Sequence, residues 1–402
     1  MKLKKIVEKV IDNRGKTPPL VDNGYELLEV NAVNESSRTP DYQKVRKFVS
    51  KDTYENWFRT GNITYNDILI PTVGTIGGCC ISKQERGSIA QNLIALRINK
   101  QIADPDYIFY YFRTSFFKKE LLNLDIGGVQ PSIKVPHLLN LEISLPPLSE
   151  QKRISSILSS FDNKIEQLKK ENNILEDIAQ SIFKEWFVKY NFPNKDGKPY
   201  KNNNGKMINS ELGLIPEGWR VGKLADFGEI ICGKTPSKKH NEYFNGKYPF
   251  IKIPDMTDIF IQETEDSLTE EGAQQLKGKL LPPNSICVSC IATIGKVGIT
   301  TTDSFTNQQI NSIIPKENAL EYLYFTLKEM KAFLEQIGNR GSTTFNINTN
   351  MFSNLLIPCP PESIILNYHT NASPLFISIQ KNMKKIETLL KEKNILLNHL
   401  IK

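Results

Sequence analysis

Residues Gly228 to Thr235 read GEIICGKT, a formal match to the G-x-x-x-x-G-K-[ST] loop that wraps a nucleotide phosphate in backbone amides. Such a loop needs small, flexible residues in its middle and a helix directly after it. Here Ile230, Ile231 and Cys232 read as a buried strand, and the PSKKHNEYFNG that follows Thr235 has turn-rich ends and no apolar periodicity. Cys287 and Cys290 form a lone C-x-x-C. No second pair stands at zinc spacing, and on a strand the two side chains point to opposite faces, which makes them core cysteines. His137, His240, His369 and His399 are scattered without ligand spacing. H-E-x-x-H, a nucleophile elbow and the G-x-G-x-x-G dinucleotide loop are all missing from the sequence. The expectation is a chain with no catalytic residues, no metal site and no cofactor of its own.

What recurs instead is basic turn material with aromatics interleaved. Residues 233–252 carry Lys234, Lys238, Lys239, Lys247 and Lys252 against one glutamate, with Tyr243, Phe244 and Tyr248 among them. Residues 38–59 carry Arg38, Lys44, Arg46, Lys47, Lys51 and Arg59 against three acidic residues, with Tyr42, Phe48, Tyr54, Trp57 and Phe58. Arg14 and Lys16 add to the basic set in an earlier turn. Basic groups hold phosphates and set position, whereas Asn, Gln and Arg read base edges in the major groove. Candidate readers are Gln91 and Asn92 in SIAQNLIAL and Asn307, Gln308 and Gln309 in SFTNQQINS. Gln130, Ser132 and Lys134 in one late loop, and Ser342, Thr343 and Thr344 in its counterpart, complete the set. For any single residue, a solvated loop position or an amide capping backbone accounts for it equally well. The group carries more weight than its members.

These residues fall at matched places because the chain is nearly one module written twice. GKTP at 15–18 returns at 233–236 and TIG at 75–77 returns at 293–295, both at an offset of 218. Asn66-Asp67-Ile68 matches Asn284-Ser285-Ile286 at the same offset, which then drifts to 214: Gly127 pairs with Gly341, Asn140 with Asn354, and Pro146-Pro147 with Pro360-Pro361. The first GKTP has Val10 where a phosphate loop would need its first glycine, so the shared element is a strand-to-turn feature with a lysine at its tip.

A helical segment follows each Pro-Pro. Ile154, Leu158, Phe161, Ile165, Leu168, Asn172, Leu175, Ala179, Ile182 and Trp186 step by four and three alternately, apolar except for Asn172. A seam at period 3.5 predicts a coiled coil, in which one polar position fixes register. An amphipathic helix on a globular core is the alternative, with a wider stripe at period 3.6. The second helix offers Ile379, Met383, Ile386, Leu390, Leu397 and Leu400, interrupted by Lys393, which stands opposite Asn172 when KENNIL is aligned with KEKNIL. The two helices are natural partners for an antiparallel intramolecular coiled coil. At about 1.5 Å per residue the rod is roughly 50 Å long, enough to span one to two turns of B-DNA at about 34–36 Å each. Pro374 leads us to expect the second helix to start late, near Phe376.

The expected fold class is therefore α/β (α+β), with two repeated globular domains separated by two long helices in a pseudo-two-fold arrangement. The expected boundaries are 1–148, first globule; 149–190, central helix with Ser149 as N-cap; 191–218, an exposed Asn-, Lys- and Gly-rich linker; 219–361, second globule; 362–402, distal helix. The 402 residues carry a formal charge of +7, which permits nucleic acid without demanding it. No run of 18 apolar residues predicts a membrane span. The N-terminus has no apolar core of a signal peptide, and six scattered cysteines suit a reducing cytoplasm.

Several segments resemble a known family: PPLSEQKRISSIL, LEDIAQSIFKEWFVKYNFP, ELGLIPEGWRV, GKTPSKKHNEYFNGKYPFIK and SCIATIGKVGIT…TNQQINSIIPK. In this succession, over essentially its whole length, the chain looks like the specificity (S) subunit of Type I restriction–modification enzymes. The resemblance implies two target-recognition domains, each reading one half of a bipartite site on double-stranded DNA. It implies that the helices form the spacer and much of the docking surface for two modification (methyltransferase) subunits. Restriction subunits that translocate and cut DNA join that core, and S-adenosylmethionine, ATP and Mg belong to the partner subunits. A system that only methylates fits the sequence equally well. One departure from the family pattern is PPESIILNYHTNASPLF after the second Pro-Pro, where an E-Q-x-x-I helix start is usual.

Overall fold

The computed structural model describes residues 1–15, 17–33, 37–74, 77–124, 132–338 and 346–401. They divide into two compact units, one formed by Met1–Leu168 with Lys384–Lys402 and the other by Lys169–Met383. Both divisions fall inside long helices. Among the described residues, no helix is long and apolar enough to cross a membrane.

The first unit runs β1 (Val7–Ile11), β2 (Tyr25–Leu28), β3 (Phe48–Val49), α1 (Lys51–Asn56), β4 (Ile68–Pro71), β5 (Cys80–Ile81), β6 (Ser88–Ile89), β7 (Leu93–Ile98), α2 (Pro105–Arg113), α3 (Ser115–Asn123) and α4 (Val135–Asn140) into the first part of α5 (Leu148–Phe183). The second begins in α5 and runs β8 (Met207–Ser210), β9 (Gly213–Pro216), β10 (Arg220–Lys223), β11 (Gly228–Cys232), β12 (Phe244–Ile251), β13 (Phe260–Ile261), β14 (Asp266–Leu268), α6 (Glu270–Gln274), β15 (Ile286–Ser289), β16 (Val297–Thr300), β17 (Phe305–Thr306), β18 (Ile310–Pro315), α7 (Leu320–Glu329), α8 (Lys331–Gly338), α9 (Thr349–Ser353), β19 (Leu356–Cys359) and α10 (Glu362–Leu400). The last part of α10 returns to the first unit.

The duplication in sequence is a duplication of pairing. The main sheets have the orders β1-β7-β4-β5 and β11-β18-β15-β16-β13. Ile68, Leu69, Ile70 and Pro71 face Leu96, Ala95, Ile94 and Leu93. Ile286, Cys287, Val288 and Ser289 face Ile313, Ser312, Asn311 and Ile310 in the same register. A second, smaller sheet recurs as β3-β2-β6 and β14-β12-β17, with a parallel pairing on one side in each. Even the lone bridges repeat: Val73 with Ser132, and Ile291 with Asn346. The central strands are apolar on both faces because helices cover one side and the smaller sheet's cluster the other. Cys287 belongs to one core and Cys290 to another, and burial pushes their thiols up to about 12 and about 11.

In the first unit the N-terminal part of α5 packs antiparallel to the C-terminal part of α10. Ile154 and Leu158 share a cluster with Leu397 and Ile401, while Ile165 and Leu168 share one with Ile386 and Leu389. In the second unit the order is again antiparallel: Asn382 Nδ2 donates to Asn172 Oδ1 at 3.0 Å, and Tyr368 Oη donates to the Ala179 carbonyl at 3.0 Å. Leu175, Ile182 and Trp186 pack on the core of that unit, and Ile379 and Met383 lie within it. The interruption at Lys393 is an ion pair: its Nζ lies 2.6 Å from Asp162 Oδ1, with both side chains only 10% exposed. Tyr110 Oη donates to the other Asp162 oxygen at 2.6 Å. Burial first, and the Asp162 charge second, push the Tyr110 phenol far above its ordinary value.

Four expectations are corrected. The distal helix starts at Glu362, not near Phe376, and Pro374 sits inside it. A proline there removes one hydrogen bond and costs about 3 kcal/mol, but Ile365, Tyr368, Ala372, Phe376 and Ile379 are buried along one continuous face across it, and that packing holds the helix. Leu390 is not in the seam: it is 37% exposed, and Leu389 packs in its place, as the drift of a 3.6-residue helix from a strict heptad requires. Residues 191–218 are largely exposed, as expected, but they are a folded element rather than a plain linker. They contain the β8–β9 hairpin, with Phe192 stacked on Tyr200 and Trp219 in the core; aromatic residues in a polar stretch were the overlooked signal. The regular central helix ends at Phe183 in a π-type turn, Lys184–Val188, and it begins at Leu148 rather than after a Ser149 cap.

Replacing Lys393 with Met leaves the buried Asp162 carboxylate unpaired and is expected to destabilise the chain by about 3–5 kcal/mol. The double variant Asp162→Asn, Lys393→Met, which keeps an acceptor for Tyr110, is expected to recover most of the loss. Urea unfolding midpoints of the three proteins check this.

Candidate nucleic-acid interface

The phosphate-loop match at 228–235 is a paired strand: Gly228 to Cys232 lie against Pro315 to Asn311. Alternate amides of this edge strand are used in the ladder with β18, and the extended backbone has none of the curvature that a phosphate cradle needs. The GKTP that follows is a loop laid flat on the β17–β18 turn. A Cβ on Gly233 would stand 2.1 Å from the Asn307 carbonyl oxygen, so only glycine allows that approach. Lys234 N–H donates to the Thr306 carbonyl at 3.0 Å, and Pro236 is buried. In the first unit Pro18 is buried likewise, while Gly15 serves differently, with φ at +123°.

The two GKTP loops pair the same two residue types, threonine and glutamine, in opposite hydrogen-bond directions. Gln91 Nε2 donates to Thr17 Oγ1 at 3.1 Å, and Thr235 Oγ1 donates to Gln308 Oε1 at 2.6 Å. Each glutamine stands two residues before a central strand, β7 or β18. The backbone behind it is matched too: Thr72 N–H donates to the Asn92 carbonyl at 2.9 Å and Cys290 N–H to the Gln309 carbonyl at 2.8 Å. The repeat had singled out the loop for its lysine; the threonine is the residue that joins it to the candidate readers.

The structure sorts the other candidates. Asn92, Lys134, Lys238 and Lys239 are exposed, as is Lys234 at the loop tip. Arg14 and Arg59 line an open cleft of about 430 Å³ with Gly15 and the 42% exposed Trp57. Arg14 is held by Asp12, Nε to Oδ1 at 2.8 Å, and that hydrogen bond keeps the Asp12 carboxyl below its usual range against the opposing effect of burial. Lys44 lies 3.7 Å from Asp41, Lys47 2.7 Å from Glu29, and Lys247 2.9 Å from Glu270. Arg46 donates to the Gln43 and Val45 carbonyls. Lys252 is drawn in between Asp266, at 2.6 Å, and Glu265, at 3.2 Å. Gln309 accepts from Asn307 Nδ2 at 3.1 Å, and Ser132 forms the bridge to Val73. Lys16, Gln130, Ser342, Thr343 and Thr344 lie outside the described residues.

Two candidates are overturned. Asn307 is 9% exposed, and its side chain braces the turn by accepting from Gln309 N–H at 3.0 Å. Arg38, only 14% exposed, faces the central helix rather than solvent. It lies 2.7 Å from Asp106 and donates to Ser159 at 3.1 Å and Asn163 at 3.0 Å. Lys83 reaches the same carboxylate at 2.8 Å. Burial would raise the Asp106 pKa, but the hydrogen bonds from Lys83 and Arg38 outweigh it and the net shift is downward. Arg38 thus helps to seat the globule on α5. The sequence showed its charge but not that α2 and α5 would enclose it. Gln151, in the PPLSEQ segment, does a related job: nearly fully buried, it accepts from Asp104 N–H and donates to the Pro146 carbonyl.

A duplicated α/β module with basic loops beside tethered amides has the chemistry of a DNA reader. The model of the Type I restriction modification DNA specificity domain matches residues 1–177 and again 216–400. The chain belongs to this family. It is 31% identical to the Type I restriction enzyme HindI specificity subunit of Haemophilus influenzae, over 78% of this chain and 80% of that one. It is 29% identical to the MjaIX specificity subunit of Methanocaldococcus jannaschii, over 74% and 68%. Among solved structures, the S subunit of a Type-I restriction-modification system from M. genitalium shares the fold, with a TM-score of 0.58 at 13% identity over 100% of this chain and 95% of that one. Specificity subunits are the non-catalytic, DNA-recognising members of their systems, and catalysis sits in other subunits.

Substituting Lys238 or Lys239 with Ala is expected to lower the slope of log K against log salt for duplex binding by about one each, without changing sequence preference. Arg38→Ala is expected to leave that slope unchanged and to lower the unfolding temperature. Fluorescence anisotropy across a salt series, with a thermal melt for each variant, checks both.

Proposed function

We propose that this chain is the DNA-reading subunit of a Type I restriction–modification complex in which residues 1–148 and 219–361 each read one half of a bipartite site. The segments 149–190 and 362–402 set the gap between the halves and dock two modification subunits for adenine methylation. S-adenosylmethionine, ATP and Mg act on the partner subunits, and restriction subunits complete the assembly in the cytoplasm. The observation that carries this reading is the duplicated module: two sheets of the same register, each with its own GKTP loop bound to its own glutamine, on helices that pair antiparallel in both units. The two copies share scaffold and differ in loops. That is the form expected of two readers with different targets, since phosphate contacts position and base contacts specify.

Co-expression with a modification subunit of the same system, followed by genome-wide mapping of methylated adenines, tests the proposal. The expected result is a bipartite motif with a fixed gap that disappears when this chain is omitted. A motif that persists without the chain, or a contiguous one, contradicts it.

A further inference from the structure

The matched Thr–Gln contacts are not needed to hold the loops. Pro18 and Pro236 are buried anchors in both copies, and the second loop is also fixed by the backbone bond from Lys234 to Thr306. Both side-chain bonds lie at the surface, where water competes for them and their contribution to stability is small. What they do is restrict an otherwise free amide. A group held in its binding orientation loses less entropy on contact with a ligand. The same pairing appears in both copies, at the same distance from the central strand, beside the exposed Lys234, Lys238 and Lys239 in one and Arg14 in the other.

We propose that Gln91 and Gln308 are specificity-determining residues, one per half-site, each positioned by the threonine of its GKTP loop. The inference rests on the bipartite reading above. Thr17 takes one hydrogen of the Gln91 amide, which leaves that side chain with an acceptor and a donor side by side. This pair matches the N6–H and N7 of adenine in the major groove. Thr235 instead donates to the Gln308 oxygen, so both Nε2 hydrogens point outward as donors. They suit an acceptor edge, as at purine N7 or guanine O6. One residue type, tied by opposite ends, reads two different bases.

The test is methylation mapping of the full chain with its modification subunit, in the wild type and in Gln91→Ala, Gln308→Ala, Thr17→Val and Thr17→Ser, with an unfolding temperature for each. Gln91→Ala is expected to reduce discrimination about tenfold or more at a single adenine position of one half-site. Gln308→Ala should do the same at a single position of the other. Thr17→Val should weaken the same position as Gln91→Ala, and Thr17→Ser, which keeps the hydroxyl, should restore it. A wild-type bipartite motif that survives unchanged in both glutamine variants overturns this inference and leaves the parent reading intact. Loss of a whole half-site rather than one position overturns it as well, because a single-base reader cannot do that. A wild type without a bipartite motif overturns the parent reading and this inference together.

Discussion

The pairing of α5 with α10 is the constraint on which the rest of the chain depends. The first unit is not continuous in sequence: it is completed by Lys384–Lys402, so its globule and the end of the chain must meet before its core closes. Apolar contact alone would let two such helices slide. Polar contacts between the helices stop this: Asn172 with Asn382 and Tyr368 with the Ala179 carbonyl in one unit, and Asp162 with Lys393 in the other. A buried ion pair adds little net stability over an apolar pair, but a shifted register strands two charges in an apolar seam. The specific contact therefore selects among pairings more than it strengthens them. Tyr110 and Arg38 extend the selection outward by bonding Asp162, Ser159 and Asn163 from the globule side, which orients the first globule on its helix.

This division of labour explains where charge sits. The joint draws in a set of charges, Arg38, Lys83, Asp106, Asp162 and Lys393, while Asp67, buried with Arg97, lies within the first globule itself. Exposed charge belongs to the loops that face solvent, at Lys234, Lys238 and Lys239, whereas the exposed Arg14 is paired with Asp12. Several residues between these extremes, such as Lys47 and Lys252, are bound to carboxylates of their own module and shape the loops rather than offering free cations. A protein that must hold a duplex yet not bind it everywhere gains from a limited set of unpaired cations, since counterion release rewards every phosphate contact regardless of sequence.

Much of the architecture was legible in the sequence because it is written twice. A 218-residue offset shared by GKTP, TIG and the Asn66 and Asn284 turns identifies which strands correspond; in the sheet the offset is 218 for β4 and β15 but 217 for β7 and β18. The central helix seam was legible from its four-three spacing up to Ala179; beyond it the buried positions are Phe183 and Phe187 rather than Ile182 and Trp186, the same drift from a strict heptad. Failures came where packing overrode a local rule. Pro374 stays helical because Tyr368 and Phe376 are buried on either side of it; Leu389 replaces Leu390 because a straight helix drifts from the heptad. The 191–218 segment folds because Phe192, Tyr200 and Trp219 find one another. Side-chain chemistry was the least legible layer. Arg38 and Lys239 look alike in sequence, and only tertiary structure separates the buried joint from the open loop. Thr17 and Thr235 were hidden for the same reason, since their partners lie more than 70 residues away.

The central claim is that paired helices set a distance while the modules set the letters. Inserting one heptad between Ile154 and Trp186, with a matching heptad in the distal helix, separates the two roles. Seven residues add about 10 Å of helix, or about three base pairs at 3.4 Å each. Methylation mapping of that variant should show a gap longer by about three base pairs and two unchanged half-sites. An altered half-site with an unaltered gap would contradict the account.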